Sequence, residues 1–511
     1  MKAFSDLFVE EYNTQREQWE NALRSELKPG DTSHKATKNH LDLGNWPTLS
    51  LKADHSHHLN IQTVWKKASQ TYYNIDTDRI ENSLQNDLEG GARVFFFDKN
   101  YFKAGDWSLI EKTLSASSFA NEIEIYLLGE ESITTGSSLI IFNENQMILA
   151  REVHQQGGHN VHELALLTCK LIESLDKNPT HLAVFMDSHF FKNIAKVRAL
   201  KLLMQKVCHE VGIKKLPKII SLNSYREWTL FERYTNMLRN NVQVASGHVA
   251  GADVIQSSGY QVIFDLETNA KDIEHDERSL RMARNTSHIL ALESMLGLVD
   301  DAAFGSYHIE NLSHHYAEAA WKLMQNLLAY DPTKRSEFLK TEVSKIRDLR
   351  LARVKTRKDI LTGVNDYPDG QERLGMTLKK ATSFRVARVF EEARLKIETL
   401  KNKPKVEILL HGDIGTLNNR INFIKNYFEL IGLEVLDPIH SHQRPENKIL
   451  VLCAKDEDYP ELAKQNESQK CFAKYLAGKV EIPGYEAIHA GQDVFQVLSH
   501  LVNKLVGKNE N

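Results

Sequence analysis

Short β-rich runs alternate with helix-length runs from Gly91 onward, and this alternation constrains the fold of the 511-residue chain more than any other feature. Strands are predicted at residues 93–97, 124–128, 138–142, 181–186, 218–222, 261–265 and 306–309. Helices are predicted at residues 162–174, 191–211 and 269–296. Repeated strand–helix units call for a parallel sheet covered by helices. Their number, over a span of about 250–300 residues, favours a closed (β/α)8 TIM-type barrel, although periodicity alone does not separate a barrel from an open sheet.

A second α/β segment begins at Pro404. Its strands are predicted at residues 406–410, 448–453 and 486–489, and its helices at 418–430, from 461 onward, and at 494–505. Such alternation over roughly one hundred residues predicts a small doubly wound, flavodoxin-like domain. The expected fold class is α/β. We expect four parts: an N-terminal helical arm at 1–45, the barrel at 46–370, a helical linker at 371–403 and the flavodoxin-type domain at 404–511. The helix of the linker is predicted at 385–401.

The N-terminal residues 1–28 have apolar side chains at helical spacing and predict an amphipathic helix that ends at Pro29 and Gly30. Acidic residues lie within its first apolar turns, so we expect no signal peptide. The formal net charge of -4 points to neither nucleic acid nor a membrane. The four cysteines are widely spaced and form no CxxC pair, which disfavours disulfides and cysteine-based metal sites and fits a reducing cytoplasm.

Two further stretches have the residue types of a binding site, and each has a simpler interpretation. Asp54, His55, His57 and His58 could ligate a metal, but neighbouring histidines in a polar segment point in different directions, so a solvated loop is favoured and no metal is predicted. The cation-dense residues 345–358 have an apolar side and no interleaved aromatic residues. A solvated helix face is therefore favoured over a phosphate-binding surface.

Several stretches of the chain carry a recognisable order of residues. In residues 281–310 the pattern rests on Arg281, Ala283, Arg284, Asn285, Thr286, Glu293, Ser294, Asp300, Gly305, Ser306, Tyr307 and Glu310. Others are HQQGGHNVHELA at 154–165, NIAKVRALKLL at 193–203, NMLR at 236–239 and TRKDILTGVN at 356–365. In this order they resemble segments of the methylmalonyl-CoA mutase family, and the chain is identified as a member of that family.

The resemblance implies a chemistry against which the chain can be compared. Catalytic members interconvert methylmalonyl-CoA and succinyl-CoA with adenosylcobalamin, the barrel encloses the substrate, and the C-terminal domain holds the corrin. In a DxHxxG loop the histidine ligates cobalt and the aspartate orients it. In this chain Gly415 stands two positions after Asp413, where that histidine would be, and His411 precedes the aspartate. The Gly-Gly pair that the family carries for the corrin tail is also missing after Cys453.

The substrate segments of the catalytic members are not reproduced either. Residues 61–111 contain neither the MYRxRPWTIRQYaG segment nor the RGYDSD loop, and residues 65–73 are the nearest substitute. His154 is the nearest candidate for the barrel histidine, but it lies closer to Gly157 than the family pattern has it, and Val153 replaces the tyrosine. We therefore predict no catalytic residue, and His154 is the candidate if the chain is active.

Three stretches resemble the small, non-catalytic subunit of the heterodimeric mutases: RVARVFEEAR at 385–394, RINFIKNYFELIG at 420–432 and VLCAKDEDY at 451–459. The resemblance implies a cytoplasmic small subunit in propionate metabolism that pairs with a large catalytic chain and binds no cofactor itself, with adenosylcobalamin in the partner. The N-terminal helix would either wrap that partner or pack on its own barrel. Two alternatives stay open. The chain could be an active acyl-CoA mutase barrel that receives cobalamin from a separate protein, or a homodimer with a new ligand in the barrel.

Overall fold

The computed structural model describes residues 18, 21, 37–40, 44–47, 68–72 and 77–507, apart from 99–103, 129–138, 143–145, 178, 269–275, 297, 299–300 and 443–448. Contacts divide the chain into two compact units. The first unit comprises Met1–Ser224, Met237–Val262 and Asp276–Arg347, and the second comprises Tyr225–Asn236, Ile263–His275 and Asp348–Asn511. The four-part division stays a prediction, and the N-terminal helix falls outside the described residues except for Gln18 and Asn21, which are helical.

The first unit contains two four-stranded parallel sheets. One contains, in order, β3 (Ala68–Tyr72), β4 (Ala92–Asp98), β5 (Glu124–Leu128) and β6 (Ile140–Phe142). The other contains β7 (Met147–Leu149), β8 (His181–Met186), β9 (Lys218–Asn223) and β10 (Val254–Ile255). A separate antiparallel pair, β1 (Thr37–His40) and β2 (Gly44–Pro47), precedes them. Within the described ranges no pairing joins β6 to β7 or β10 to β3, so closure into one barrel stays a prediction.

Helices follow most of these strands. They are α1 (Thr77–Glu89), α2 (Ala104–Ser115), α3 (Arg151–Gln155), α4 (Asn160–Glu173), α5 (Phe190–Glu210), α6 (Thr235–Val249), α7 (Val262–Glu267), α8 (Glu277–His288), α9 (Tyr307–Leu328) and α10 (Pro332–Lys355). A π-helical turn, Ile289–Glu293, extends α8. The largest apolar cluster lies among α4, α5 and α9. None of the helices that the structure describes is long and apolar enough to cross a membrane.

Alternate side chains of a strand point to opposite sides of its sheet, and nearly all side chains of β4, β5, β7, β8 and β9 are buried, so these strands are covered on both faces. On β4, Phe95 and Phe97 pack toward α1 and α2, whereas Val94 and Phe96 enter a cluster that side chains from both sheets share. The inner faces of the two sheets therefore form one apolar core.

The second unit contains a five-stranded parallel sheet in the order β12-β11-β13-β14-β15. These strands are β11 (Val406–Leu410), β12 (Ile439–His440), β13 (Ile449–Cys453), β14 (Ala473–Ala477) and β15 (Glu486–Ile488). The helices are α11 (Arg388–Glu398), α12 (Ile414–Glu429), α13 (Tyr459–Gln465) and α14 (Val494–Gly507). Because the first strand lies between the second and third, the chain reverses its winding there, and ligands of open α/β sheets bind at this point.

The structure confirms most predicted strands and helices but corrects two strands. Residues 306–309 begin α9, a 22-residue helix whose buried Ile309, Leu312 and Tyr316 recur at helical spacing. Residues 261–265 lie largely in α7, because a short run of β-branched and aromatic residues does not distinguish a strand from a buried helical turn. The sequence does not predict seven of the strands, and all of these except β3 and β14 have only two to four residues; they are β1, β2, β3, β7, β10, β12 and β14.

Candidate functional site

Aromatic rings fill the space between the inner faces of the two sheets of the first unit. The ring of Phe96 stacks on that of Tyr126 at a centroid distance of 5.2 Å, and Tyr126 stacks on Phe142 at 5.0 Å. The imidazole of His181 meets Phe142 edge-on at 4.4 Å. Phe96 and Tyr126 are completely buried. This interior is a packed core where the predicted barrel would hold substrate.

His181 lies in this core in its neutral form. Burial and, to a smaller extent, the neighbouring charge of Lys218 together lower its pKa to about 4, against the opposing effect of Glu124 and Asp253. The Thr180 hydroxyl lies 2.8 Å from His181 Nδ1, so one ring nitrogen has a hydrogen-bonding partner. Because the imidazole is neutral and enclosed by rings, it serves packing.

The buried imidazole is expected to make the stability of the chain depend on pH. The pKa of His181 is about 4 in the folded protein, and the usual value in an unfolded chain is about 6.5. The unfolded state therefore binds more protons between these values, and stability falls as the pH drops from about 6.5 toward 4, by about 2–3 kcal/mol from this group. In His181→Gln, the denaturation midpoint should change less with pH between these values than in the unmodified chain. The same substitution at the surface residue His209 is the control, and an unchanged slope in His181→Gln would contradict the assignment.

His154, the candidate catalytic residue, lies on α3 and is buried. Its ring stacks face to face on Phe185 with the centroids 4.1 Å apart. Beside Phe185, the Lys196 ammonium pairs with Glu163 at 3.2 Å and donates a short hydrogen bond to the Phe185 carbonyl. A catalytic role for His154 stays a prediction.

The carboxyl ends of β9 and β10, where barrel enzymes carry their sites, hold a network of amides and hydroxyls that bond to each other. Asn223 donates from its backbone to Gln256 at 2.7 Å and from its side chain to Gln243 at 2.7 Å. Ser258 donates to the Asn223 side chain at 2.7 Å, and its own backbone N–H bonds Asn240 at 3.0 Å. These polar groups hold the strand ends together.

Several residues of the recognisable patterns form buried ion pairs. Arg198 is almost fully buried and pairs with Asp301 and, at 2.8 Å, with Glu310. The sequence comparison places the aspartate of the family pattern at Asp300, which lies outside the described residues. In the family segment DPxxGSY the aspartate stands four residues before the glycine, and counting back four residues from Gly305 gives Asp301. This ion cluster fixes the corner between α8 and α9.

In the second unit, the loop that corresponds to DxHxxG forms the N-terminus of α12. Asp413 is the N-cap, and its carboxylate accepts hydrogen bonds from the Thr416 amide and hydroxyl, both at 3.0 Å. The bonds from Thr416 lower the pKa of Asp413. Gly415 offers no side chain, and a Cβ there would stand 3.0 Å from the Asp413 carboxylate. His411 instead bonds Ser441, with 3.0 Å between Nδ1 and Oγ.

Arg420 from α12 lies at the carboxyl edge of the five-stranded sheet, where open α/β sheets have their ligand crevice. Its guanidinium bonds the carbonyls of Ala454 at 2.6 Å and Ala477 at 3.1 Å, which follow β13 and end β14. It also bonds the Tyr459 hydroxyl at 3.2 Å and pairs with Asp456 at 2.7 Å. This edge offers adenosylcobalamin no imidazole, since Gly415 stands at the ligand position, Asp413 caps α12 and Arg420 bonds the strand-end carbonyls.

Within the described residues, no group of three or more histidine, cysteine, aspartate or glutamate side chains could hold a metal ion. The predicted solvated loop at Asp54, His55, His57 and His58 lies outside those residues.

The linker pattern at 385–394 encloses a buried charge cluster. Arg385 is fully buried, with its guanidinium 3.0 Å from Glu267 and 2.5 Å from Glu391. It also donates to the carbonyl of Trp228 at 2.9 Å. Arg394 lies over the ring of Phe231 at 3.9 Å. The linker therefore holds the segment Tyr225–Asn236, which sequence reasoning did not foresee.

Comparison with known proteins agrees with these patterns. Residues 176–414 match the family model described as Methylmalonyl-CoA mutase. The chain is 26% identical over 326 residues to the methylmalonyl-CoA mutase small subunit of Porphyromonas gingivalis, covering 58% of this chain and 50% of that protein. For the small subunit of Propionibacterium freudenreichii subsp. shermanii the identity is 26% over 352 residues, covering 62% and 54%, and for that of Streptomyces virginiae it is 28% over 346 residues, covering 62% and 55%. The chain thus spans about half the length of the curated relatives it matches.

Proposed function

We propose, from the premise that this chain belongs to the methylmalonyl-CoA mutase family, that it is a non-catalytic small subunit of an adenosylcobalamin-dependent mutase. It would pair in the cytoplasm with a large chain that interconverts methylmalonyl-CoA and succinyl-CoA, and that chain would hold the cofactor. The first unit would be a closed (β/α)8 barrel, and the second a degenerate cobalamin-binding domain of flavodoxin type. The names of the relatives support the assignment to the small subunit.

The observation that carries the proposal is the crevice at the carboxyl edge of the five-stranded sheet. A corrin with a histidine lower ligand needs an imidazole where Gly415 stands, and a carboxylate free to orient it. The Asp413 carboxylate is committed to the cap of α12, and Arg420 bonds two strand-end carbonyls across the space. Cobalamin would have to displace Arg420 from its carbonyl partners and would find no imidazole in return, so we expect no binding.

The packed interior of the first unit supports the same conclusion. An acyl-CoA ester enclosed by a barrel needs a channel between the strands, whereas the rings of Phe96, Tyr126 and Phe142 stack there in contact. Displacing them would expose large aromatic surfaces, each worth several kcal/mol of packing. We therefore infer that this chain provides scaffold for its partner.

The test is cobalamin binding by the purified full-length chain. Adenosylcobalamin is added to the chain alone and to the chain co-expressed with a large mutase chain from the same source, and corrin absorption and turnover of methylmalonyl-CoA are followed. We expect corrin and turnover only with the co-expressed pair. Stoichiometric corrin binding by the chain alone would refute the proposal. Turnover by this chain with a separate cobalamin-binding protein would instead establish the active-barrel alternative.

An exposed apolar surface on the first unit suits a protein partner. It follows α8, the π-helical turn and the loop after it, and we call it the α8 face. Its residues, all between 38% and 59% exposed, are Met282, Ile289, Leu292, Met295 and Leu298. Contiguous apolar surface of this kind marks interaction sites in soluble proteins.

Leu292→Glu on the α8 face is expected to weaken association with the large chain by at least tenfold, because a charge would be buried against apolar surface, and each 1.4 kcal/mol is a factor of about ten. Association is measured by copurification and by sedimentation of the mixed chains. Leu238→Glu is the matched control, since Leu238 is 70% exposed and lies on α6. Equal association of both variants would mean that the partner binds elsewhere.

A further inference from the structure

We propose that the N-terminal segment, residues 1–28, covers the α8 face while the chain is alone, and that the large chain displaces this segment when it binds. The segment and the α8 face belong to the same compact unit. The inference rests on the proposed function, because it takes the α8 face as the surface to which the large chain binds.

The α8 face is an apolar surface in its own right. The π-helical turn Ile289–Glu293 buries Leu290 and leaves Ile289 and Leu292 exposed. Met295, two residues after the turn, has a left-handed backbone with a φ of 52°, which costs free energy in any residue other than glycine. Single π-helical turns and strained backbone are concentrated at functional positions of proteins. An exposed apolar surface that is held in this way is expected to have a partner.

The N-terminal part of the chain enters the fold beside this face. The strand β3, which begins at Ala68, is the terminal strand of its sheet and packs against α8. Residues 1–28 are therefore tethered next to α8 through residues 29–67. A tether holds two segments at an effective concentration of up to about 1 mM, far above that of a separate chain in dilute solution. The N-terminal segment thus reaches the α8 face before another molecule does.

The segment has the apolar side that such a face requires. Asn21 lies on the opposite side of the predicted helix, and the structure shows it as helical and exposed. A single amphipathic helix is marginally stable in water and depends on packing of its apolar side. The α8 face offers that packing where the chain enters the fold. The apolar side of the segment is formed by Phe4, Leu7, Phe8, Tyr12, Trp19 and Leu23.

The segment and the large chain would exclude each other from the α8 face. An open apolar surface on a lone chain promotes aggregation, and the segment protects the surface until the large chain binds. Once displaced, the segment exposes its own apolar side, which can then contact the large chain. Packing on its own chain and wrapping the partner, the two roles considered for this helix, thereby become successive states.

The test measures how fast hydrogen peroxide oxidises the methionines of the full-length chain, by mass spectrometry of its peptides. Met282 and Met295 report on the α8 face, because a covered thioether reacts slowly. We expect both to react slowly in the unmodified chain and about tenfold faster in Trp19→Glu, where a charge on the apolar side releases the segment. Asn21→Glu adds the same charge on the opposite side and should leave both rates unchanged. Met376 of the second unit, which is half-buried, is the internal reference.

Two results would overturn the proposal. One is fast oxidation of Met282 and Met295 in the unmodified chain, at the rate seen in Trp19→Glu, which would mean that the face is open in the lone chain. The other is slow oxidation in both chains, since something other than residues 1–28 would then cover the face, and protection that is lost on dilution would identify a second copy. An unchanged rate at Met376 establishes that Trp19→Glu is folded.

The measurement on the chain alone needs neither cobalamin nor the large chain, so it does not depend on the proposed function. Adding the large chain to Trp19→Glu should protect Met282 and Met295 again. If the face stays open there, the large chain binds elsewhere, and the displacement step is refuted while the position of the segment in the lone chain stands.

Discussion

Arg385→Met is expected to lower the free energy of unfolding of the second unit by about 3–5 kcal/mol, because removing one partner from a buried ion cluster leaves the other charges uncompensated. Arg385 is fully buried between Glu267 and Glu391, which are themselves almost fully buried. Methionine fills a similar volume but supplies no charge and no donor to the Trp228 carbonyl. Glu391 would then lose its ion pair and have to take up a proton or water, whereas Glu267 would keep its ion pair with Arg388.

The measurement is urea denaturation followed by tryptophan fluorescence, to which the fully buried Trp228 beside the cluster contributes. Lys396→Met is the matched control, because Lys396 is exposed on the same helix, α11, and should change the stability by no more than about 0.5 kcal/mol. If Arg385→Met were as stable as the unmodified chain, the cluster would be replaceable by apolar packing, and the linker would be held by Phe390 and its apolar neighbours instead.

The long elements of this fold could be predicted because each carries its own periodicity. The strands β4, β5, β8, β9, β11 and β13 and the helices α5 and α14 lie within a few residues of their predicted bounds. β7 and β10 are too short to show a period, and they exist because their neighbours pair with them. The alanine and lysine residues of β14 favour a helix by sequence, but its parallel pairing with β13 decides the conformation.

For the candidate site, the sequence predicts which residues are missing but not how the residues present are arranged. That Gly415 stands where a cobalt-ligating histidine would be is a matter of residue identity, so the sequence predicts the loss. That Asp413 caps α12 and that Arg420 reaches the carbonyls after β13 depends on how the helix starts and lies on the sheet. The sequence does not predict the aromatic interior either, because the alternation of side chains indicates which residues face inward but not whether their rings meet.

Phe96→Ala is expected to destabilise the first unit by about 3–5 kcal/mol, from the lost burial of the ring and the cavity that it leaves. The ring of Phe96 is completely buried, and it stacks on Tyr126 with 5.2 Å between centroids. Strands buried on both faces cannot collapse into the space easily, so the cavity should persist. Phe96→Leu keeps most of the volume and should lose less, by about 1–2 kcal/mol.

Denaturation of the chain with and without benzene separates a packed interior from a channel. An apolar cavity in Phe96→Ala should bind benzene and recover part of the lost stability, whereas the unmodified chain has no room for it. Phe191→Ala is the control, since Phe191 is 56% exposed on α5 and its removal should change the stability little. A small loss in Phe96→Ala, with no response to benzene, would mean that the interior is already open to water. The chain could then hold a substrate between its sheets, and only the contacts of Arg420 would still favour a scaffold role.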